Sequence, residues 1–386
     1  MRGRAVAGAS VEVKDVSMDL HEAIEERPWL AQYRDLPHSM RGLQPTSPLA
    51  AFRNSCDKAP DALAIQYFDA QLTYADLDRM SDAFANWLAH EGIGDGGRVM
   101  ITLNNTPHSV IALVGTWKRG AVPVPCNPMY RARELGTLIA DCNPAAIICE
   151  SSLHDRVLDG RKQAHGTATI LTVNPYDFQN EDDARVLPER SGTEPAVGDF
   201  LQIIREFDRG GSTPGEDPDP EALALILYTS GTTGAPKGAM LSHRALAHCA
   251  NAGRIWTALD RHCRHLVVAP TFHITGIVCC CCTAFIGADC LIMTYRFHPA
   301  QALETIVRYR PNFVVAAATD GYRVDFSWSE IYNSPVGDSM LIYYEKDGNA
   351  LGDEEGRIAM VSGKDVKTGP RHVKWLQSLD VRLIAD

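Results

Sequence analysis

A chain of 386 residues has room for two or three domains, and 45% hydrophobic with 22% charged residues is the composition of a globular protein, not a fibrous or disordered one. Its 37 basic residues against 48 acidic ones leave a net charge of −11, which argues against a surface built to coat nucleic acid and gives no reason for an anionic membrane partner. No run reaches the roughly 18 apolar residues of a transmembrane segment. Val11–Asp19 is interleaved with charge where a secretory core would stand, so a cytoplasmic protein is expected.

Residues 1–45 are weakly patterned and read as an N-terminal extension draped over a domain. From Thr46 the pattern becomes regular. Ala64–Phe68 reads as a strand, Asp69-Ala70 as a turn and Leu72–Tyr74 as a second short strand. Thr73 then caps a helix with Asp76 in capping-box register. Leu77, Met80, Phe84, Trp87 and Leu88 form its apolar face, with Asp78, Asp82 and His90 expected to lie largely away from it. Gly92 stops the helix. Arg98–Leu103 predicts a strand, Ser109–Arg119 a helix and Ala121–Pro125 another strand. Alternation of this kind implies a parallel sheet with helices on both faces.

Residues 176–220 are acidic, rich in Gly and Pro, and predict a long surface excursion with one helix at Phe200–Phe207. Ala222–Tyr228 is a short apolar run bounded by turn residues, hence a buried strand. Ser242 caps a helix running to about Trp256, Leu266–Ala269 is a strand, Gln301–Arg308 a helix and Phe313–Ala317 a strand. Beyond Ala318 the pattern turns mostly β. Met340–Tyr344, Arg357–Ser362 and Val373–Ile384 read as strands, Lys346-Asp347-Gly348 as a hairpin turn, and Ser327–Tyr332 as a short helix.

Eleven cysteines are present, four of them consecutive at Cys279–Cys282. Successive helical residues point about 100° apart, so four in a row cannot converge on one metal. Without a second Cys pair or a His pair at ligand spacing, these thiols read as core filling.

Two segments carry chemistry. Thr229-Ser230-Gly231-Thr232-Thr233-Gly234 packs four hydroxyls and two glycines into six positions directly after a strand, and Lys237 follows. Glycine lets the backbone bend and bring N–H groups near a ligand, hydroxyls add donors, and lysine adds a mobile positive charge, the parts needed to hold a polyphosphate. The spacing is not that of the nucleotide-hydrolase P-loop. The second segment, Pro270-Thr271-Phe272-His273-Ile274-Thr275-Gly276, follows the strand ending at Ala269, where open α/β sheets bind ligands. An imidazole there donates to a carboxylate without a permanent charge.

The first segment closely resembles the phosphate-binding signature of the adenylate-forming superfamily, the second the P-x-F-H-x-x-G segment of its acyl-CoA synthetases. The block Leu72–Pro128, ending GAVPVPCNP, is similar to the corresponding stretch of those enzymes. Pro28-Trp29-Leu30, Tyr33 and Pro37 resemble the leader of long-chain fatty acyl-CoA ligases. The resemblance covers about residues 46–318. It implies layered α/β/α subdomains of an adenylate-forming N-terminal domain, truncated, followed by a small mostly β segment. It also implies activation of a carboxylic acid, by resemblance a fatty acid, to acyl-AMP and then acyl-CoA, using ATP, Mg²⁺ and CoA. On this reading Thr229–Gly234 and Lys237 hold the nucleotide phosphates, His273 sits by the acyl carboxylate as the catalytic-site residue, and Phe272 and Gly276 help form the substrate site.

The family's later Y-G-x-T-E segment and C-terminal lysine have no counterpart after Ala318. Residues 319–386 instead resemble the end of a sulfite-oxidase-type molybdopterin-binding domain, in DGYRVDFSWSEI, LIYYEKDGNALGDEEGRIAMVSG and PRHVKWLQSLDV. That tail has no cysteine to hold the metal, so no molybdenum is expected. The chain is therefore expected to be catalytically incomplete and to self-associate through exposed apolar surface. The alternatives are an ATP- or acyl-binding remnant without turnover, a chimeric gene product and, disfavoured by the missing cysteine, a molybdenum oxidoreductase.

Overall fold

The computed structural model describes residues 37, 42–189, 198–210, 216–229 and 236–312, and the strand residues 314–318, 323–324, 340–343, 345–346, 349–350, 359–362 and 376–380. The elements named below all belong to the unit Leu43–Asp386. Helix α1 (Pro48–Lys58) is capped by Ser47, whose Oγ accepts the Ala50 N–H at 2.9 Å. Strands β1 (Leu63–Tyr67) and β2 (Ala70–Thr73) form an antiparallel hairpin. Helix α2 (Tyr74–His90) starts at the expected capping box: the Asp76 N–H donates to Thr73 Oγ1 and the Thr73 N–H to the Asp76 carboxylate, both at 3.1 Å. Such a cap contributes about 1 kcal/mol, and burying Leu77, Phe84 and Leu88 about 2 kcal/mol each.

One expectation on this helix is corrected. Asp82 is buried, because Lys118 reaches across to it at 2.8 Å and to Asp78 at 2.6 Å. A buried partner of opposite charge reverses what helical periodicity alone assigns to a carboxylate.

A parallel sheet follows: β3 (Arg98–Thr102), α3 (Pro107–Lys118), β4 (Val122–Pro125), α4 (Ala132–Cys142), β5 (Ala146–Glu150), α5 (His154–Gln163) and β6 (Thr169–Val173), with strand order β4-β3-β5-β6. The sequence pattern does not single out α1 or the elements α4 to β6. β5 is apolar up to its closing Glu150 and buried at every position, the pattern of a central parallel strand. The excursion carries helix α6 (Phe200–Phe207) at the predicted span, and Phe200 meets Phe84 with ring centroids 5.2 Å apart.

Strands β7 (Leu223–Thr229) and β8 (Lys237–Ser242) pair antiparallel, with Thr229 opposite Lys237. Helix α7 (His243–Trp256) starts where expected, Ser242 Oγ accepting the Ala245 N–H at 3.2 Å. Strand β9 (Arg264–Val267) follows, then a π-helical segment at Gly276–Cys282, α8 (Thr283–Gly287), β10 (Cys290–Met293) and α9 (Pro299–Tyr309). β9 and β10 pair in parallel and join the first hairpin in a second sheet of order β2-β1-β10-β9. Cys280, Cys281 and Cys282 are buried in the core, as their reading as filler requires.

Strand β11 (Val314–Ala318) pairs with β12 (Arg323–Val324) and with β17 (Leu376–Asp380). β13 (Met340–Tyr343) pairs with β16 (Ala359–Ser362). β14 (Glu345–Lys346) and β15 (Asn349–Ala350) pair antiparallel, and residues 347–348 of the predicted Lys346-Asp347-Gly348 turn lie outside the described residues. The three strands read in the tail sequence overlap β13, β16 and β17. The Ser327–Tyr332 helix and the Pro28–Tyr33 leader lie outside the described residues. No described helix is long and apolar enough to cross a membrane.

Candidate active site

Four parallel strands from the two sheets, β3, β5, β9 and β10, send their carboxyl ends to one polar knot. After β3, the Asn104 Nδ2 donates to Glu150 Oε1 at 2.8 Å, and Glu150 closes β5. The Glu150 Oε2 accepts the Tyr295 hydroxyl at 2.7 Å, and Tyr295 follows β10. The backbone N–H of Asn105 donates to Tyr295 O at 3.1 Å, while its Nδ2 donates to Val267 O at 3.1 Å and Ala269 O at 3.3 Å beyond β9. All of these side chains are buried, and every contact replaces a hydrogen bond to water that burial removed. Tyr295 holds a left-handed φ of 63°, which turns the chain sharply out of β10 and presents Arg296. The Arg296 guanidinium lies 5.1 Å from the Tyr295 ring centroid, in cation–π range.

Above the knot lies a cleft of about 410 Å³, with Asn104, Asn105, Glu150 and Tyr295 in its wall. Phe272 and Phe297 supply apolar surface, Arg156 and Arg296 positive charge. A crevice at the carboxyl ends of parallel strands is where α/β sheets take ligands.

The Pro270–Gly276 turn borders this cleft. Its Thr271 is buried, the backbone N–H donating to Asn105 Oδ1 at 2.7 Å and the hydroxyl to Ser109 Oγ at 3.2 Å. Phe272 is half-buried and lines both the cleft and a closed apolar slot of about 10 Å³ against Leu103, Leu113 and Cys281. His273 is exposed; its Nδ1 accepts the Thr275 N–H at 3.3 Å, which in the neutral ring leaves the proton on Nε2. Gly276 is buried against the start of the same turn. A Cβ there would stand 2.2 Å from Pro270 O, so only glycine permits this approach.

The hydroxyl- and glycine-rich segment is flanked by β7 and β8. Thr229 and Lys237 are both exposed and face each other in register, with the Thr229 hydroxyl 3.5 Å from Lys237 O. Ser230, Gly231, Thr232, Thr233 and Gly234 lie outside the described residues. β7 is anchored at both ends. Trp117 Nε1 donates to Ala224 O at 2.7 Å, and the Tyr228 hydroxyl donates to the Asp141 carboxylate. Burial, with Asp141 adding to it, pushes the Tyr228 phenol well above its ordinary range, so it stays a donor. The two segments are linked through helices: α7, leaving the hairpin, packs against the π-helical segment that leaves the His273 turn.

Sequence reasoning missed the knot itself: Asn104, Asn105, Glu150, Tyr295 and Arg296. Two signals could have found it. A lone carboxylate closes the apolar run Ala146–Glu150, and an Asn pair stands directly after the strand at Arg98. Polar residues ending buried strands demand partners. Among the described residues no group of three or more His, Cys, Asp or Glu side chains could hold a metal.

The AMP-binding enzyme family matches residues 52–320. A long-chain-fatty-acid–CoA ligase of Bacillus subtilis (strain 168) is 25% identical over 314 residues, covering 76% of this chain and 54% of the relative. A 4-coumarate–CoA ligase 1 of Oryza sativa subsp. japonica is 30% identical over 270 residues, covering 64% of this chain and 43% of the relative. The crystal structure of ATP-bound MatB from Rhodopseudomonas palustris superposes with a TM-score of 0.56 at 26% identity, covering 67% of this chain and 48% of that one. The chain thus spans about half the length of these relatives.

Proposed function

We propose, for a chain that belongs to the AMP-binding enzyme family, that it activates a carboxylic acid with ATP. A carboxylate oxygen attacks the α-phosphate, pyrophosphate leaves with the electron pair of the broken P–O bond, and acyl-AMP remains. A thiol, CoA by resemblance, then displaces AMP to form a thioester. The observation that carries this reading is the β7–β8 hairpin, which sets Thr229 and Lys237 opposite each other at the two ends of the hydroxyl- and glycine-rich segment. Repulsion between carboxylate and polyphosphate is the main barrier to capture, and a lysine with backbone and hydroxyl donors offsets it.

The ATP-bound MatB neighbour and the two CoA-ligase relatives support ATP and an acid as substrates. In this reading the acid lies in the cleft beside Phe272, with His273 Nε2–H at its rim as a hydrogen-bond donor. Arg156 and Arg296 favour a substrate or cosubstrate carrying negative charge. By resemblance to the family, Mg²⁺ would accompany ATP and offset the charge of its phosphates. The domain division at Ala318 and the fragment character of the tail remain part of this proposal.

The test is acid-dependent exchange of pyrophosphate into ATP across acetate, 4-coumarate and medium- and long-chain fatty acids, followed by thioester formation with CoA. Exchange with at least one acid supports activation. ATP binding by calorimetry without exchange or thioester for any acid assigns the chain to nucleotide capture alone. Absence of ATP binding overturns the reading.

A further inference from the structure

The end of the β7–β8 hairpin where Thr229 faces Lys237 is tied to the rest of the fold at Tyr228. The Tyr228 hydroxyl donates to the Asp141 carboxylate in the last turn of α4, with the Cys142 thiol beside it. Among the described residues, no other side chain in 226–229 or 236–239 hydrogen-bonds outside the hairpin. Asp141 does little for its own helix. A carboxylate at a helix C-terminus meets the negative end of the dipole, so it gains from a neutral donor offered by another element. Its charge also makes it no ligand for a phosphate.

Two features set this phenol to act on the phosphate-binding segment. Tyr228 pairs in register with Gly238, one pair before Thr229 with Lys237. Paired residues of an antiparallel ladder share a face, and glycine leaves that face open. A Cβ at Gly238 would stand 3.4 Å from both Cε1 and Cζ of Tyr228 and 3.0 Å from Ile226 Cγ2. The ring therefore lies on the β8 backbone at the residue next to Lys237, about 3.3 Å along the strand. Little else covers β8 there: Lys237, Ala239 and Met240 are all exposed. Fixing the ring thus fixes the backbone that carries the lysine.

We propose that Tyr228, held by Asp141, is a positioning residue: it fixes the stretch of β8 from which Lys237 meets the nucleotide phosphates. The inference rests on the reading of Thr229 and Lys237 as phosphate-binding and adds the pair that sets them in place. The experiment is calorimetry of the full chain with ATP, AMP and inorganic tripolyphosphate, beside urea unfolding. Tyr228→Phe keeps the ring on Gly238 and removes only the hydroxyl. It should weaken ATP and tripolyphosphate binding about fivefold, leave AMP nearly unchanged and move the urea midpoint little. Asp141→Ala should match it, while Asp141→Asn, which keeps an acceptor oxygen, should retain most of the affinity. In a Lys237→Ala background Tyr228→Phe should cost no further affinity, because the phenol acts through that lysine. Should Tyr228→Phe fail to fold, Asp141→Ala at its exposed position carries the same test. Unchanged ATP affinity in the folded variant, with wild type binding, overturns this inference alone. So does a loss shared equally by AMP, or one that persists in full without Lys237, since either marks a merely structural bond. Failure of the wild type to bind both ATP and tripolyphosphate overturns this inference together with the reading beneath it.

Discussion

Asn105, three residues beyond the end of β3, grips the Thr271 backbone: its Oδ1 accepts the Thr271 N–H at 2.7 Å while its Nδ2 donates to Ala269 O at 3.3 Å. One amide side chain thus closes both sides of the strand end that carries Phe272 and His273. Asn105→Ala leaves the buried Thr271 N–H without that acceptor and two carbonyls without a donor. We expect a loss of about 2–4 kcal/mol, read as a lower urea midpoint with unchanged slope. A loss below about 0.5 kcal/mol would mean that the turn is held by other contacts.

Lys237→Ala should weaken ATP binding about tenfold or more while leaving AMP binding nearly unchanged, because only ATP carries the phosphates opposite this charge. Lys237 is exposed at the start of β8, so the substitution should not disturb the fold. Equal ATP affinity in variant and wild type would remove this lysine from the site.

Gly276→Ala places a methyl group 2.2 Å from Pro270 O and 2.9 Å from Ala269 O. Backbone cannot give way as a flexible side chain does, so the turn must shift. The expected cost is about 3 kcal/mol in stability. A displaced His273 ring should also change its imidazole proton resonances. An unaltered melting temperature would show that the turn accommodates a side chain after all.

Burial pushes the His243 imidazole from its ordinary 6.5 down to about 4. It stands first in α7, packed against Trp117, with Nδ1 unpartnered, where the positive end of the helix also disfavours a proton. The unfolded chain therefore takes up the proton first. Stability from this group is complete above pH 6.5, declines as pH falls, and is lost below about 4. The full effect is about 3 kcal/mol. Unfolding free energies measured between pH 7 and 5 should fall in wild type, and the slope should flatten in His243→Phe. Parallel pH profiles would assign the acid sensitivity elsewhere.

Of eleven free cysteines, Cys249 is the exposed one. Burial raises the thiols of Cys149, Cys281 and Cys290 to about 12, which removes the reactive thiolate. In native protein a disulfide reagent should therefore find one fast-reacting thiol, lost in Cys249→Ser, and the remainder only after unfolding. Several fast thiols would contradict the packing of the Cys279–Cys282 run.

Much of the fold was legible because its signals are local. Thr73 with Asp76, Ser242 before α7 and the apolar run of β7 each act within a few residues, through caps, periodicity and turn chemistry. The segment after β5 is not legible in the sequence because α5 is short and largely polar and its one buried apolar side chain is Val157, so periodicity offers little contrast. Asp82 was misplaced for the opposite reason: its partner Lys118 lies 36 residues away.

The candidate site divides along the same line. Residue types and spacing within Thr229–Lys237 and Pro270–Gly276 are properties of short peptides, so the two segments proposed to meet phosphate and carboxylate stand out before any fold is known. That the second segment borders a charged cleft follows from the fold alone. The residues that build it meet across the chain, Asn105 with Thr271 at a separation of 166 residues and Glu150 with Tyr295 at 145. Parallel strands bring their carboxyl ends together only after helices have crossed back over the sheet. Buried polar side chains then find partners that no local pattern specifies, because the demand for a hydrogen bond is set by burial and burial is a property of the whole fold.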